Sequence, residues 1–498
     1  MLDWKAAGAA VEAAADWASD GPGGAVLLFD RHGLRATAAA GVESLATRRP
    51  FGIDSVARCA SVTKHVFASF VLAHPQVIGL DDPLGQHLPQ LAPETGAVTV
   101  GRALDMSGGI PDTRECLTLT GHSIFTQTLA PDLLAFHAGL PRLNYAPGTQ
   151  VHYSNGGYRL VEEALRAHGL LFDDFLRDEM RSPTGLPMRA AELWTDPVPD
   201  LVTGYWHDGS TWREGFQGMH LSAAGSLSAS GRALAEWGRL LLVDEGSFKD
   251  RLAALSAPRP LLDGRATGYG LGMRRQRVGG RELVGHGGSQ PGFKAYLLLD
   301  PDSGAGVAIL CNRDDVNTTD LAARVMAALL GEVLPVAGSD LTPGLYVAPE
   351  GVDWIEVRAA TVSRLDDEGA VYPVARGGVD SLSPTSALHL RMEGAAVVGS
   401  AGFAPARYEP VRGGTVSPAL AGRWRHDSGA MLEVAGDAVV MGAGPTRRVM
   451  ALQPLGGGRY LFHLPDGPWN RRICLHQTAP DRITLALSRA RMIDYRAD

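Results

Sequence analysis

The sequence predicts a multidomain α+β protein, with one large unit of helices around an antiparallel sheet followed by two small antiparallel β-barrels. Three observations carry that reading. First, 498 residues with 45% hydrophobic content are enough for two to four globular domains. Second, helical periodicity alternates with period-two segments up to about residue 330, and the two mix within one stretch of chain. Third, from Leu341 to Tyr495 helical periodicity almost vanishes. Short apolar runs such as Gly344–Val347, Trp354–Ala359, Ala387–Met392, Ala419–His426, Met431–Val434, Arg459–His463 and Ile483–Leu487 are divided there by Gly, Pro, Asp and Asn. Residues 341–412 and 416–498 are similar in length and open on weakly similar runs, Gly344-Leu-Tyr-Val and Leu420-Ala-Gly-Arg-Trp. Two barrels follow from that similarity, with one split sandwich as the rival. The expected boundaries are 1–335, 341–412 and 416–498.

Taken in order, residues 4–18 read as an amphipathic helix. Ala25–Asp30 and Leu34–Ala40 form a hairpin about Arg31-His32-Gly33. Phe51 to Ala60 leads into a helix that starts at Ser61 and ends near His74-Pro75. Gly79 to Leu84 turns into a short helix, and Thr99 to Met106 is helical until Ser107-Gly108-Gly109 stops it. A further helix is expected from about Ser123 to Ala138, and another from Gly156 to His168 after a Pro147-Gly148 turn. Gly225-Ser226-Leu227-Ser228 is expected to begin a helix that runs to about Val243. Tyr269–Met273, Leu283–His286, Lys294–Asp300 and Gly304–Cys311 read as antiparallel strands, and residues 318–331 as the closing helix.

Charge and cysteine usage narrow the function. A formal net charge of -8 and a pI near 6.0 argue against a nucleic-acid binder. The four cysteines (Cys59, Cys116, Cys311, Cys474) are far apart and form no C-x-x-C or Cys/His cluster, so neither a disulfide framework nor a metal site is expected. The first residues lack a basic stretch followed by an apolar one, and no segment is long and apolar enough to span a membrane; the expected location is the cytoplasm.

Three stretches carry chemistry. In Cys59-Ala60-Ser61-Val62-Thr63-Lys64, Ser61 and Lys64 stand three apart at a helix start and share a face, which sets a hydroxyl beside an amine. A desolvated lysine can take the serine proton, and the free N–H groups of a helix start suit a developing oxyanion. Ser-x-x-Lys also reads as a helix cap with a snorkelling lysine. Against that, the chain has only four lysines, and Lys64 precedes the apolar run Val66-Phe67. In Tyr153-Ser154-Asn155, Tyr153 and Asn155 alternate on an extended piece and can face one cleft. The phenol can relay a proton, and the amide can both donate and accept, or Asn155 can simply cap the next helix. In Gly285-His286-Gly287-Gly288-Ser289, glycines beside an imidazole let a substrate approach the backbone. Trp206, Trp212, Phe216 and His220 lie among glycines in a stretch that can wall a pocket.

The order and spacing of Ser61-Val-Thr-Lys64, Tyr153-Ser-Asn155 and His286-Gly-Gly288 resemble the penicillin-recognising serine hydrolases, the beta-lactamase/DD-peptidase-like enzymes, over roughly residues 10–335. The third motif departs from the family's usual Lys-Thr-Gly, which argues against β-lactamase and carboxypeptidase activity. With two C-terminal β-domains, the chain is similar to the family's D-aminopeptidase branch. The resemblance implies a serine aminopeptidase that needs no cofactor, removes small N-terminal D-amino acids from peptides or amides with a free N-terminus, and forms a homodimer; an esterase or D-amino-acid amidase of the same family, and a non-catalytic penicillin-binding or interaction protein, are the alternatives. It implies Ser61 as nucleophile, Lys64 and Tyr153 as proton carriers, and Asn155, His286 and Gly288 as substrate-binding or supporting residues. It also implies a hydrogen bond between Tyr153 and Lys64. Finally it implies a loop from the last barrel, near Leu464–Arg472, that reaches the cleft and offers Asp466 to the substrate ammonium.

Overall fold

In the computed structural model, which describes residues 2–181 and 185–498, the first two thirds of the chain wrap around a six-stranded antiparallel sheet. Its strands are ordered Gly33–Ala40, Gly24–Asp30, Ala305–Cys311, Phe293–Asp300, Arg281–Gln290 and Arg274–Val278. The N-terminal hairpin thus pairs with the last strand of the unit, Gly24 opposite Cys311 through Asp30 opposite Ala305. Both faces of the central strands are covered, which explains their continuous apolar runs. Val26, Leu28, Val307 and Ile309 pack beneath the helices Trp4–Ala14 and Thr318–Leu330. Alternate residues Ala25, Leu27, Leu297 and Leu310 face a second core shared with the helices Thr63–Ala73, Asn155–Ala167 and Gly231–Val243.

The C-terminal third is antiparallel β. Eight strands from Gly344–Val347 to Ala404–Pro410 close into a barrel, sealed by Tyr346 opposite Pro410 and Val347 opposite Glu409. Nine strands from Gly422–Arg425 to Ile493–Ala497 form a second, nearly closed barrel around Trp424, Phe462, Ile473 and Tyr495. Its two end strands, Arg448–Ala451 and Gln453–Gly456, are consecutive in the chain. The core of this second barrel also takes in Cys116, Leu119 and Leu140 from the first unit. Val347, Trp354, Leu455 and Cys474 pack the two barrels together. All four cysteines are free and buried. Among the described residues no helix is long and apolar enough to cross a membrane.

Three local expectations are corrected, and one further helix is found. The helix expected from Ser123 begins only at Ala130, with Pro131 in its first turn, because the preceding residues bond outside themselves: Thr128 N donates to Gly218 O and Ile124 N to the Asp466 carboxylate. Leu227–Ser230 is a strand paired with Val56–Arg58, and the helix after it starts at Gly231, capped by Ser230. Tyr269–Met273 is a turn rather than a strand; Gly272 adopts φ 79° where a Cβ would lie 2.5 Å from the Lys64 carbonyl carbon. An unexpected helix, Thr113–Leu119, fills the stretch after the Gly108-Gly109 stop.

Candidate active site

Ser61 sits in a 3-10 turn, Ala60–Val62, that runs straight into the helix Thr63–Ala73. The turn is held in an unfavourable shape, with Ala60 at φ 48°. Cys59 N donates to Leu227 O, and Leu227 N donates to the Thr63 hydroxyl (3.0 Å), so the short strand Leu227–Ser230 clamps the turn from both sides. This fixes where the Ser61 hydroxyl points.

Lys64 follows one helical turn later. Its side chain is fully buried, with Nζ 3.0 Å from Ser61 Oγ, 2.8 Å from Asn155 Oδ1 and 2.7 Å from Ala224 O. Burial drives its pKa well below the ordinary lysine value; the Arg489 charge pushes the same way and Asp112 opposes. An amine whose proton is held less tightly more readily offers its lone pair to another proton. Tyr153 reaches the same oxygen from the other side, its hydroxyl donating to Ser61 Oγ at 2.7 Å. The expected hydrogen bond between Tyr153 and Lys64 is replaced by these two separate contacts to Ser61, with Lys64 Nζ 4.8 Å from the Tyr153 ring centre. Burial raises the phenol to about 12, against the lowering effects of the Ser61 hydrogen bond and the Arg489 charge.

Asn155 opens the helix Asn155–Ala167, but Ser154 caps it, accepting from Gly156 N at 3.1 Å. The amide of Asn155 is therefore free for other work. Its Oδ1 takes the lysine, while its backbone N and Nδ2 both donate to Asp112 Oδ2, at 2.9 and 2.8 Å. Asp112 also caps the helix Thr113–Leu119 by accepting from Glu115 N (3.1 Å). Sequence reasoning missed this residue. The signal was present, since Asp112 and Glu115 have the three-residue spacing that marks a helix start.

His286 and Gly288 lie on the strand Arg281–Gln290. Its neighbour Arg274–Val278 pairs only as far as Gly285, so beyond that point the edge lies open toward the Ser61 turn. A Cβ on Gly288 would sit 2.1 Å from Cys59 O and 3.0 Å from Ser61 N, an approach that only glycine allows. The His286 ring is buried, with Nδ1 2.6 Å from Gly287 O and Nε2 3.0 Å from the Tyr269 hydroxyl. A carbonyl can only accept, so Nδ1 carries the proton and Nε2 accepts from Tyr269. Burial, reinforced by the Arg274 charge, holds this imidazole well below its ordinary pKa.

The loop after Leu464 does line the cleft, through Gly467, Pro468, Trp469 and Arg471. Its carboxylate does not. Asp466 is 1% exposed and spent on internal contacts: it accepts from Ser123 Oγ (2.6 Å) and Ile124 N and pairs with Arg448 (3.2 Å). Asp466 thus anchors the loop instead of offering a charge to an ammonium group, which corrects the expectation. Trp469 fixes the loop's other side by donating from Nε1 to Thr118 Oγ1 at 3.1 Å, and the Arg471 guanidinium stacks 3.7 Å above its ring. The cleft so bounded holds about 1020 Å³ and contains Ser61, Tyr153, Asn155, His286 and Gly288. His220 and Trp206, from the glycine-rich stretch, line it too. Arg489, which no sequence signal marks, enters from the second barrel.

Comparison with known proteins agrees with this architecture. The Beta-lactamase family model matches residues 9–331. A D-aminopeptidase from Cereibacter sphaeroides (strain ATCC 17029 / ATH 2.4.9) is 26% identical over 510 residues, covering 95% of this chain and 96% of that protein. Among solved structures, the octameric penicillin-binding protein homologue from Pyrococcus abyssi aligns with a TM-score of 0.55 at 16% identity over 96% of both chains. The D-amino acid amidase from Ochrobactrum anthropi SV3 aligns with a TM-score of 0.54 at 21% identity over 66% of this chain and 98% of its own.

Proposed function

The chain belongs to the Beta-lactamase family, and we propose that it is a serine hydrolase that removes small N-terminal D-amino acids from peptides, amides or esters through an acyl-enzyme on Ser61. The observation that carries this is the placement of Ser61 Oγ between Lys64 Nζ (3.0 Å) and the Tyr153 hydroxyl (2.7 Å), with the lysine buried. As Ser61 attacks the substrate carbonyl, its proton passes to the neutral Lys64 amine. The Tyr153 hydroxyl, on the other side of the same oxygen, protonates the leaving amine and then activates water for deacylation. Asn155, fixed by Asp112, keeps the lysine in line and offers its amide to the substrate. Ser61 N and the backbone N–H of Gly288 or Ser289 on the open strand edge receive the oxyanion. His286, neutral and tied to Tyr269, shapes the wall beside the leaving group without adding a charge.

The D-aminopeptidase relative, which matches this chain across both barrels, supports the choice of substrate. With Asp466 committed elsewhere, the substrate ammonium falls to another carboxylate of the cleft. Asp208, Asp315, Asp367 and Glu368 are paired with Arg213, Arg313, Arg489 and Arg358. Asp314 has no such ion pair among the described residues, although the Lys294 charge of the same cleft also acts on it, and is the candidate.

The test is release of p-nitroaniline from D-alanine and L-alanine p-nitroanilides, run beside Ser61→Ala. Turnover of the D form alone, lost in the variant, is expected. Turnover of neither, with hydrolysis of simple esters or nitrocefin, would overturn the aminopeptidase reading.

A further inference from the structure

The turn Ser488–Arg491 joins two strands of the second barrel, Arg482–Ala486 and Ile493–Ala497, yet it is built into the wall of the Ser61 cleft. Its backbone is fixed from the first unit. Arg489 O accepts from Asp112 N and from Asn144 Nδ2, both at 2.9 Å; Arg489 N donates to Glu115 Oε2 at 2.6 Å; and Arg491 N donates to Asn144 Oδ1 at 2.9 Å. These bonds aim one side chain. The Arg489 guanidinium lies 4.8 Å from the centre of the Tyr153 ring, with Glu115 at 3.9 Å and Asp367 of the first barrel at 3.7 Å. All three parts of the chain thus converge on one cation beside the residue that touches Ser61.

We propose that Arg489 is a positioning residue for the chemistry at Ser61: braced by Glu115 and Asp367, its guanidinium holds the Tyr153 ring in place and supplies a permanent positive charge beside the Ser61–Lys64–Tyr153 cluster. This rests on the function proposed above. A fixed cation over the ring favours electron density on the phenol oxygen and disfavours a second cation at Lys64. The Arg489 charge lowers the proton affinity of both groups. Other charges also face the cluster. Asp112 acts on Lys64 in the opposite sense, Arg274 of the edge strand lowers Tyr153, and His286 is held neutral. Glu115 is the one carboxyl in the group that burial pushes to about 7, so its own titration must be separated from the effect of Arg489.

The experiment uses the full-length protein with Arg489→Met, Arg489→Lys and Glu115→Gln, and the double variant Glu115→Gln/Arg489→Met. For each, kcat/KM on D-alanine p-nitroanilide and the rate of Ser61 acylation by p-nitrophenyl acetate, located by mass spectrometry, are followed from pH 5 to 10. Arg489→Met is expected to lower kcat/KM by roughly 5- to 30-fold. The loss should fall mainly on kcat, and the acidic limb should move up by about half a pH unit or more. Arg489→Lys should return the limb to its place, and the same displacement should separate Glu115→Gln from the double variant. Arg489→Gln is read in the same way should the methionine variant not fold. A loss of rate with the limb unmoved would make Arg489 a structural tie and overturn the inference, as would a displacement that disappears in the Glu115→Gln background. Labelled Ser61 with identical limbs in all variants would overturn this inference alone; absence of Ser61 labelling in the unaltered protein would overturn both it and the proposed function.

Discussion

Asp112→Asn is the substitution that tests the site's framework most directly. Asp112 is buried, and three donors converge on its two oxygens: Glu115 N at 3.1 Å on Oδ1, and Asn155 N and Nδ2 at 2.9 and 2.8 Å on Oδ2. An asparagine of the same shape must replace one oxygen with an NH₂ group and turn donor against donor. If the amide oxygen stays with Asn155, the helix Thr113–Leu119 loses its cap, at about 1 kcal/mol, and two charge-assisted bonds become neutral ones, at about 1 kcal/mol each. If the oxygen turns to the cap, Asn155 is repelled and lets go of Lys64, and once Lys64 has taken the Ser61 proton in the transition state this costs one charge-assisted bond, ~1.5–3 kcal/mol, or about 10- to 150-fold in kcat/KM. Either orientation weakens the hold on Lys64, because the Asn155 bond to Asp112 is part of that hold. The expected result is therefore a fall in kcat/KM of at least about tenfold, together with a stability loss of ~2–3 kcal/mol in urea unfolding. D-alanine p-nitroanilide turnover and the urea midpoint, measured on the same preparations, read the two effects separately. A stability loss of that size with activity within about threefold of the unaltered protein would refute the framework and leave Asp112 a helix cap and nothing more.

Gly288→Ala puts a Cβ 3.0 Å from Ser61 N and against Cys59 O. A loss of about 10²- to 10³-fold in kcat with secondary structure intact by circular dichroism is expected, as for removal of an oxyanion donor. Glu162, buried and raised from its ordinary 4.5 to about 7, holds its proton more tightly in the folded than the unfolded chain; its contribution is present below 4.5 and lost as pH rises through 7. Glu162→Gln, which can still accept from Ala223 N, should therefore gain on the unaltered protein by up to about 3 kcal/mol between pH 5 and pH 8 in urea unfolding, and a constant difference would contradict this. Asp466→Asn weakens the anchor to Ser123, Ile124 and Arg448, so limited proteolysis should cut faster within residues 465–470, and an unchanged cutting rate would count against the anchor.

Much of this site was legible because its parts are local patterns. Ser61 and Lys64 share a helix face through their spacing alone, Tyr153 and Asn155 alternate on a short extended run, and Gly288 is a glycine where only a glycine fits. The barrels were legible because a chain with no helical period and frequent Gly and Pro has few other ways to bury its apolar runs. What could not be read depends on distant partners. Leu227–Ser230 looks like the start of the helix behind it until Val56–Arg58 comes alongside, and the residues before Ala130 look helical until Asp466 takes the Ile124 N–H. Asp466 shows the limit most clearly: a carboxylate on a Pro-Asp-Gly-Pro loop announces a turn, but not whether its charge faces the substrate or the loop's own footing.

The second barrel does more than narrow the cleft. Its core reaches into the first unit through Cys116 and Leu119, which lie on the helix that Asp112 caps. One side of that helix is therefore packed by the barrel, while its cap, Asp112, holds the Asn155 amide and, through it, Lys64. The turn Ser488–Arg491 adds hydrogen bonds to Asp112 N and the Glu115 carboxylate at the same place. A lid needs only to cover a site, and such contacts would be superfluous for it. Here the packing, the cap and the turn all bear on one helix end, so the geometry around Lys64 depends on the barrel being docked.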